Sequence, residues 1–529
     1  MGKRRNSKVA SARGGYRSLR DMLREDEKAR GTGASGKGGK GARDAARKSR
    51  RSGNGAEGRK RAAAVAPLRP AAPLAGDPHR RIAIVGGGAA GLAAAVAASR
   101  ALHEAGGAAS FQIVVFETDE RVGRSILATG NGRCNFSNRR IDGSVYRNGD
   151  YVCRALSSLH QAEGGARRED VRQNDVQDFF RNLGMEWREE AEGRLYPVTG
   201  KASTVVDVLR AEMERLGVVE ACGRRAARID FPHGEGGLFH IRFDDGSVEH
   251  AAAVVLAVGG KHAVHRRGEA RAGEREGCAA LLPERYAATP LRPALGPLAV
   301  REDVVRQLDN IRVRARVRLA DDAPFGKTKA VEQGEVLFRS YGVSGICIFN
   351  LSRSAEPGDA LFIDFLPQVD DAECRRFLSE RLWRLSALDG ASGRLPGEAF
   401  LRGLLLPPVA RAVLRQASIG SDQLVGMNDI AALEEALKAF PLTVAGIGDE
   451  RQCQVLRGGL SVDDFDAETM ESLYDPGLFA AGEALDVDAP CGGYNLHWAW
   501  ASGILAGRSA ARRIAEQSAN ATEEGSSDA

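Results

Sequence analysis

The sequence of 529 residues has few cysteines and places none of them in a C-x-x-C pair or at the spacing of a metal site. Scattered cysteines are typical of reduced thiols, so the sequence predicts a cytoplasmic protein without a metal site. No apolar segment follows the first 15 residues in the manner of a secretory signal. The apolar run from Ile82 is broken by glycines and stops at Arg100, short of the roughly 20 residues that cross a bilayer. No membrane contact is therefore expected.

Charge is distributed unevenly along the chain, although the net charge is only +5. Residues 1–80 contain 22 basic and 7 acidic side chains, which leaves −10 on the rest. This segment cannot bury enough apolar surface to fold alone, so residues 1–80 are predicted to be a disordered basic tail, and residues 517–529 a second disordered tail. A basic arm can bind nucleic acid, but the segment lacks interleaved aromatic stacking platforms, which favours a solubilising extension.

The strongest local pattern is the dinucleotide-binding fingerprint G-x-G-x-x-G, formed by Gly86, Gly88 and Gly91 after a predicted strand at residues 82–85. The first glycine allows a tight turn, the second lets a pyrophosphate approach the backbone, and the third lets the following helix pack closely on the strand. A phosphate group is expected at the N-terminus of that helix, where free N–H groups point at it.

The surroundings of the fingerprint strengthen this prediction. The helix is predicted over residues 89–102, so Ala89 and Ala90 open it, and a strand over residues 111–116 ends at Glu117. An acid at this place can accept hydrogen bonds from the ribose hydroxyls of an adenosine. The context disfavours the alternative, an ordinary buried β-α-β unit without a nucleotide.

A glycine-rich loop, residues 118–138, follows Glu117 directly. It exposes backbone N–H donors that can wrap the phosphates and the ring edge of a cofactor. Its candidate cofactor-binding residues are Arg124, Gly130, Asn131, Gly132, Arg133, Cys134 and Asn135. Cys134 has no second cysteine nearby, so a dithiol relay is excluded.

Two later segments are predicted to return to the same edge of the sheet. Residues 250–260 form an almost wholly apolar strand with Gly259 near its end, and residues 477–483 form a strand that ends at Gly482 and Glu483. The loop DVDAPCGGYN then runs into a helix predicted over residues 496–514. We expect the carboxyl ends of these parallel strands to face the ligand.

The middle of the chain has a different character. Residues 311–319 alternate strictly, which puts four arginines on one face that is better explained as a solvated sheet face than as a binding surface for an acidic partner. Residues 346–349 are predicted to form a strand and residues 371–440 to be mostly helical. In the charged segment 261–285, His262 and His265 have no ligand partners and are interpreted as exposed loop residues.

Three blocks of the sequence together resemble one family, the BaiN-like and aminoacetone-oxidase-like FAD-dependent oxidoreductases. They are IVGGGAAGLAAA with GRSILATGNGRCNFSN, then GEVLFRSYGVSGICIFNLS, then the long block from TMESLYDPG to GGYNLHWAWASGILAG. The resemblance covers residues 81–513 and leaves the basic tail outside.

The resemblance implies an α/β fold with a Rossmann-like FAD-binding domain built from N- and C-terminal segments. The expected divisions are residues 81–285 for its first part, 286–440 for an inserted β-barrel-like and helical substrate domain, and 441–516 for the C-terminal return. FAD is the implied cofactor, and NADH or NADPH a possible transient co-substrate.

The resemblance also assigns roles to residues. The fingerprint glycines would hold the pyrophosphate, Glu117 the adenosine ribose, and residues 130–135 would border the flavin. The C-terminal cofactor contacts would be made by Gly482, Glu483, Asp486, Gly492, Gly493, Tyr494 and Asn495. A helix that begins near Asn495 would direct its N–H groups at the pyrimidine edge of the flavin, where negative charge accumulates on reduction.

Two departures from the family pattern concern the site. Ser125 stands where a lysine is usual, and the charged residues 262–275 replace a loop rich in Ser, Thr and Gly. His497 stands where glutamine is common and is a candidate proton donor or a structural residue; Cys134 is the other candidate catalytic residue.

The sequence therefore predicts a FAD-dependent oxidoreductase that moves electrons between a small organic substrate and NAD(P)H. The alternatives are an oxygen-dependent oxidase of a small amine or ketone, a nucleic-acid-associated flavoprotein that uses residues 1–80, and a FAD-binding protein without turnover.

Overall fold

A computed structural model of the chain describes residues 71–106, 110–162, 175–232, 234, 237–259, 275–321, 326–388 and 393–527. The strands are β1 Arg81–Val85, β2 Gln112–Glu117, β3 Ser137–Asn138, β4 Trp187–Glu189, β5 Arg194–Pro197, β6 Val219–Cys222, β7 Ala226–Asp230, β8 Phe239–Phe243, β9 Val248–Ala251, β10 Ala253–Leu256, β11 Ala288–Ala294, β12 Leu298–Val300, β13 Arg312–Ala320, β14 Thr328–Arg339, β15 Gly342–Ser344, β16 Ala360–Asp364, β17 Leu395–Pro396, β18 Leu424–Val425, β19 Phe440–Ile447, β20 Val455–Leu460 and β21 Leu478–Ala480.

The helices are α1 Ala89–Glu104, α2 Arg124–Leu127, α3 Gly149–Ala162, α4 Asp175–Asn182, α5 Ala202–Arg215, α6 Val304–Gln307, α7 Ile346–Ser352, α8 Asp371–Leu388, α9 Gly397–Leu401, α10 Pro407–Gln416, α11 Ile430–Lys438 and α12 Tyr494–Ser527.

A five-stranded parallel sheet, in the order β21-β10-β1-β2-β6, forms the centre of the half that is predicted to bind FAD. Strand β1 is buried along its whole length, which explains why its sequence is apolar without alternation. Strand β21 joins from the far end of the chain and pairs with β10. The predicted Rossmann-like fold built from N- and C-terminal segments is confirmed.

The strand predicted over residues 250–260 is in fact two strands. Strand β9 continues the small antiparallel sheet β7-β8-β9, whereas β10 enters the parallel sheet. The chain changes sheets at Ala252, whose N–H donates to the Arg81 carbonyl oxygen at 3.1 Å. A continuous apolar run carries no alternation that would mark this change, which is why the sequence reads as one strand.

A closed six-stranded barrel, β12-β15-β14-β13-β16-β19, confirms the predicted β-barrel-like insert. The alternation of β13 places Ala315, Val317 and Leu319 in the buried interior. Its arginines face outward, where Arg312 pairs with Glu335 at 2.8 Å. The predicted solvated arginine face is confirmed.

Two details of the insert differ from the predictions. Residues 346–349 lie in the helix α7 rather than in a strand, because a short apolar run does not distinguish a buried helix from a strand. Strand β19 is a barrel strand, so the predicted boundary after residue 440 falls inside the barrel. Pro441 there pairs with Phe362 near the start of the strand, where proline is tolerated.

The chain enters and leaves the barrel through the antiparallel pair β11–β20. Helices α8 to α11 lie between β16 and β19 in the sequence and share one buried apolar core with the barrel. The predicted helical segment within the insert is confirmed.

Helix α12 packs against α1 with unusually close backbones. A methyl group on Gly503 would lie 2.3 Å from the Ala90 carbonyl oxygen, and one on Gly507 would lie 2.2 Å from the Ala94 carbonyl oxygen. Residues four apart share one helix face, so these glycines form a continuous strip of contact. The helix extends to Ser527, which corrects both its predicted end at residue 514 and the predicted disordered tail from residue 517.

The predicted end of the N-terminal tail at residue 80 is also wrong for its last ten residues. The buried Arg81 guanidinium donates to the carbonyl oxygens of Leu74 and Ala75, both at 3.1 Å, and to Glu249 at 3.2 Å. A buried charge needs such partners, and they hold the chain at Leu74 and Ala75, while the Ala71 N–H donates separately to the Asp245 carboxylate at 3.0 Å. The rest of the tail prediction, residues 1–70, lies outside the described residues.

We expect Gly503→Ala to lower the free energy of unfolding by about 1–3 kcal/mol, because the added methyl group forces α12 away from α1. The higher helix propensity of alanine offsets this by at most about 1 kcal/mol. Thermal unfolding followed by circular dichroism measures the change. Gly420→Ala is the control, since its methyl group would meet only the Gln423 side chain at 3.7 Å. Equal midpoints for the two variants would contradict the close packing.

Candidate active site

The junction between β1 and α1 admits only glycine at two positions. Gly86 has a φ of +112°, and a methyl group on it would lie 2.3 Å from the Ala257 carbonyl oxygen. A methyl group on Gly91 would lie 1.8 Å from the Gly86 carbonyl oxygen. Helix α1 therefore begins at Ala89, tight against the sheet, and its first-turn N–H groups have no partner within the helix. The geometry is that of the anion site which the fingerprint predicts, and binding of a phosphate here stays a prediction.

Ser125, the residue that departs from the family pattern, borders this junction. Its hydroxyl oxygen would lie 3.3 Å from a methyl group on Gly88, so it faces the half-buried second glycine of the fingerprint. Nearby, Arg124 is exposed and pairs with Asp119 at 3.1 Å. The serine hydroxyl can form a hydrogen bond with a phosphate, but it lacks the positive charge of the lysine that is usual at this position.

Glu117 lies at the carboxyl end of β2, where the sequence predicts the ribose ligand. One carboxylate oxygen accepts from the Gly87 N–H and the other from the Asp119 N–H, both at 2.8 Å. These bonds fix the carboxylate beside the fingerprint loop while leaving it half-buried. Its contact with a ribose stays a prediction.

The loop GNGRCN is a tight turn with left-handed backbone at Gly130 and Asn131, whose φ angles are +55° and +56°. Arg133 holds it from outside: the guanidinium pairs with Glu190 and lies 4.2 Å from the centre of the Tyr196 ring. The turn is thereby fixed in position, with Gly132 half-buried beside it.

Cys134 is buried at the base of this turn. Burial raises the pKa of its thiol to about 12, although a hydrogen bond with Thr129 opposes the rise. The thiolate is the nucleophilic form of cysteine, and it is absent at neutral pH when the pKa is this high. The structure does not favour Cys134 as a catalytic residue.

The segment after β21 lies against the start of α1. A methyl group on Gly482 would lie 2.9 Å from the Ala90 side chain, and the Gly482 N–H donates to the Ser502 hydroxyl at 2.9 Å. A methyl group on Gly259, at the end of β10, would lie 4.0 Å from the Glu483 carboxylate. The structure thus brings Gly259 close to Glu483, although these two residues are far apart in the sequence. The charged segment 260–274 lies outside the described residues.

The start of α12 meets the GNGRCN loop. A methyl group on Gly493 would lie 2.4 Å from the Ser137 carbonyl oxygen and 2.9 Å from the Asn135 side-chain oxygen. That oxygen, Oδ1 of Asn135, is buried without a hydrogen-bond partner among the residues the structure describes. A buried amide oxygen without a partner is costly, so a donor from a bound group fits this place.

Asp486 and Asn495 stabilise the loop between β21 and α12. The Asp486 carboxylate accepts from Arg147 and from the Thr289 hydroxyl, both at 2.8 Å. The Asn495 side chain accepts from the Ala489 N–H at 2.9 Å and donates to the Ala489 carbonyl oxygen at 2.8 Å. Both side chains position the loop, and their direct contact with a cofactor stays a prediction.

His497 is fully buried in the first turn of α12. Burial lowers the pKa of its imidazole to about 3, so the ring is neutral at physiological pH. Its Nδ1 lies 3.0 Å from the Ser137 hydroxyl oxygen. Of the two interpretations of His497, this geometry favours the structural one over a proton donor.

The sequence analysis did not predict the residues that hold the loop between β21 and α12 in place. The Asn138 amide donates to the Gly492 carbonyl oxygen at 2.9 Å. From the insert, Arg353 donates to Asp488 at 2.6 Å, and the Asn350 side chain accepts from the Cys491 N–H at 2.9 Å. No local signal marks these residues, because each acts on a segment distant in the sequence.

The described part of the chain contains no group of three or more His, Cys, Asp or Glu side chains arranged to hold a metal ion. Within the same residues, none of the helices combines the length and apolar character of a membrane span.

A family model described as the HI0933-like protein Rossmann domain matches residues 80–509. This chain belongs to the HI0933-like family. The match includes the FAD-binding segments and the inserted barrel and leaves out the basic tail.

Several proteins with named functions are similar to this HI0933-like protein over most of its length. A 3-dehydro-bile acid delta(4,6)-reductase of Clostridium scindens is 32% identical over 82% of this chain and 99% of the reductase. A ribosomal RNA dihydrouridine synthase of Escherichia coli is 26% identical over 79% of this chain and 95% of the synthase. A 3-ketosteroid-delta4-(5alpha)-dehydrogenase structure from Rhodococcus jostii matches at 16% identity and a TM-score of 0.37, over 81% of this chain and 96% of that chain.

The family membership confirms the predicted resemblance to BaiN-like flavoenzymes. The HI0933-like protein is a flavin-dependent oxidoreductase, and its cofactor is FAD. The site fits this group: the α1 N-terminus would hold the pyrophosphate, and the unpartnered Asn135 oxygen and the start of α12 would border the ring. Bound FAD supplies the capacity to accept and release hydride.

We expect Asn135→Ala to weaken FAD binding about tenfold, because the variant loses one hydrogen bond at a buried position, worth roughly 1–1.5 kcal/mol. Fluorescence titration of the apoprotein with FAD measures the affinity. The control is Asn182→Ala at the exposed end of α4, which lies outside the site. If the two variants bind FAD equally well, the Asn135 oxygen does not face the cofactor.

We expect His497→Gln to make stability less sensitive to acid. The imidazole binds a proton below about pH 6.5 in the unfolded chain but only below about pH 3 in the folded protein, so folding stability falls as pH drops between these values. Thermal unfolding midpoints of the wild type should therefore fall more between pH 7 and pH 5 than those of the variant. Exposed His79→Gln is the control. Parallel curves for His497→Gln and wild type would contradict the neutral buried ring.

Proposed function

We propose that this protein transfers electrons from NADH or NADPH, through FAD, to a carbon–carbon double bond conjugated with a carbonyl group in a small organic substrate. The observation that carries the proposal is the 32% identity with a bile acid reductase over 99% of that enzyme. The reductase's name places a ketone at position 3 and the reducible bonds at positions 4 and 6. The substrate class is therefore an enone.

The rest of the site is compatible with this chemistry. Hydride transfer at a flavin ring needs no nucleophile, which agrees with the protonated Cys134 thiol and the neutral His497 ring. The sequence holds no second G-x-G-x-x-G fingerprint after a strand. A nicotinamide would therefore dock transiently at the flavin face rather than in a domain of its own.

The first experiment is to purify the protein without added cofactor and to add NADH and NADPH separately under anaerobic conditions. We expect a yellow protein whose visible absorption is bleached by one nucleotide, and whose colour returns when a cyclic enone is added. Return of colour with oxygen but with no enone, accompanied by peroxide, would identify an oxidase instead. If neither nucleotide bleaches the flavin, the proposal is wrong.

A second acceptor is supported by the ribosomal RNA dihydrouridine synthase that is 26% identical to this chain. Uridine also carries a carbon–carbon double bond conjugated with a carbonyl group, so the same chemistry would reduce it. Uridine-containing RNA therefore belongs in the same acceptor panel. If RNA alone restores the colour, the protein is an RNA-modifying flavoenzyme, and the basic residues 1–80 would be its arm for binding.

A further inference from the structure

Glu332 occupies an interior position of the barrel. In the register of β13 and β14 it pairs with Val317, and cross-strand partners point to the same face. Val317 is buried in the barrel interior, and so are Val336 and Phe338, which share the face of Glu332 along β14. Glu332 itself is half-buried, and β14 becomes more exposed from there toward its start at Thr328. A carboxyl group on an otherwise apolar face is costly unless it has a partner or a use.

The neighbours of Glu332 connect it to the loop between β21 and α12, residues 481–493 (the cofactor loop). The Asn350 side chain, on α7, forms a hydrogen bond with the Glu332 carboxyl group and also accepts the Cys491 N–H at 2.9 Å. Arg353 interacts electrostatically with Glu332 and donates to Asp488 at 2.6 Å. Asp488 and Cys491 belong to the loop that runs directly into Gly492, Gly493 and α12. Glu332 therefore lies where the insert faces this loop.

Four charged or titratable groups face the Glu332 carboxyl group from the surrounding elements. They are Arg353 at the end of α7, the buried Cys347 thiol near the start of α7, Glu192 in the turn before β5, and the Cys491 thiol. Burial raises the pKa of Glu332, and Glu192 adds to the rise, while the Asn350 hydrogen bond and Arg353 oppose it. Burial, with Glu332 nearby, raises the pKa of the Cys491 thiol to about 12, so this thiol stays neutral. The balance leaves Glu332 easier to protonate than an exposed glutamate.

We propose that Glu332 is the proton donor of the substrate site, a role that rests on the proposed reduction of an enone. The β-carbon of the enone would receive a hydride, with its electron pair, which the reduced flavin would supply when bound. The carboxyl group of Glu332 gives a proton to the α-carbon, the double bond becomes a single bond, and the Glu332 carboxylate is reprotonated from solvent. One hydride and one proton account for the two hydrogens that the substrate gains.

The surroundings of Glu332 differ from those of Glu335, the other acidic residue of β14. Glu335 lies on the opposite face of β14, is exposed, and pairs with Arg312 at 2.8 Å on the outer wall of the barrel. Asp364, another carboxylate toward the barrel, is bound by Lys438 at 2.8 Å and by the Leu366 N–H at 2.8 Å. Glu335→Gln is therefore the matched control, since it removes a carboxylate from β14 without touching the cofactor loop.

The test compares Glu332→Gln with Glu335→Gln, both as FAD-loaded enzymes. The first readout requires no turnover: infrared difference titration of the oxidised enzyme, wild type minus Glu332→Gln, isolates one carboxyl group. We expect it to titrate above the ordinary glutamate value. The second readout is stopped-flow reoxidation of the reduced enzyme by an enone. We expect Glu332→Gln to slow this step about 100-fold or more, since a positioned general acid typically contributes that much, while bleaching by the nucleotide is unchanged.

The pH dependence supplies a further criterion. In the wild type, reoxidation by the enone should slow as pH rises through the pKa of the carboxyl group, because the protonated form is lost, and Glu332→Gln should lack this slope. If the wild type is reoxidised by no enone, the proposed function fails and this role fails with it. If the wild type is reoxidised and Glu332→Gln is equally fast, or if the isolated carboxyl group titrates at the ordinary value, only the role of Glu332 is overturned.

Discussion

The contact between the first and last helices is the constraint on which the site depends. Gly503 and Gly507 let the α12 backbone approach the carbonyl oxygens of Ala90 and Ala94. The approach is so close that any side chain at these two positions would clash with those oxygens. That contact holds the C-terminal segment over the fingerprint loop. It also sets the start of α12 beside the GNGRCN loop, so a late and an early segment of the sequence meet at the predicted cofactor site.

A second set of contacts joins the cofactor loop to the insert. Arg353 and Asn350 come from the end of the short helix α7 and hold Asp488 and Cys491, which precede α12. The Arg353–Asp488 pair is largely buried, and removing one member would leave the other charge uncompensated. These contacts therefore fix the end of α7 in the insert to the loop that leads into α12.

Sequence reasoning succeeded where a local pattern dictates the structure. The fingerprint glycines, the apolar parallel strands and the alternation in β13 each reflect a rule that acts within a few residues. It failed where the outcome depends on distant partners. The order of residues 71–80 depends on the buried Arg81, and the helical state of residues 346–349 depends on what they pack against. The structure brings together several of the residues predicted to contact the cofactor, such as Asn135 and Gly493, and their contact with FAD stays a prediction. Glu332 was not predicted as a site residue, because the side of the barrel wall on which it lies depends on a strand register that the sequence does not reveal.

The topology of the parallel sheet has a consequence for biosynthesis. Strand β21 and helix α12 are synthesised after the N-terminal β-α-β unit and after the barrel, yet β21 forms one edge of the parallel sheet that the first strands begin. The N-terminal β-α-β unit and the whole barrel emerge earlier and must wait for this final segment. A chain interrupted before β21 by a premature stop codon would therefore lack this sheet edge and the loop that leads into α12, even though every fingerprint glycine is present.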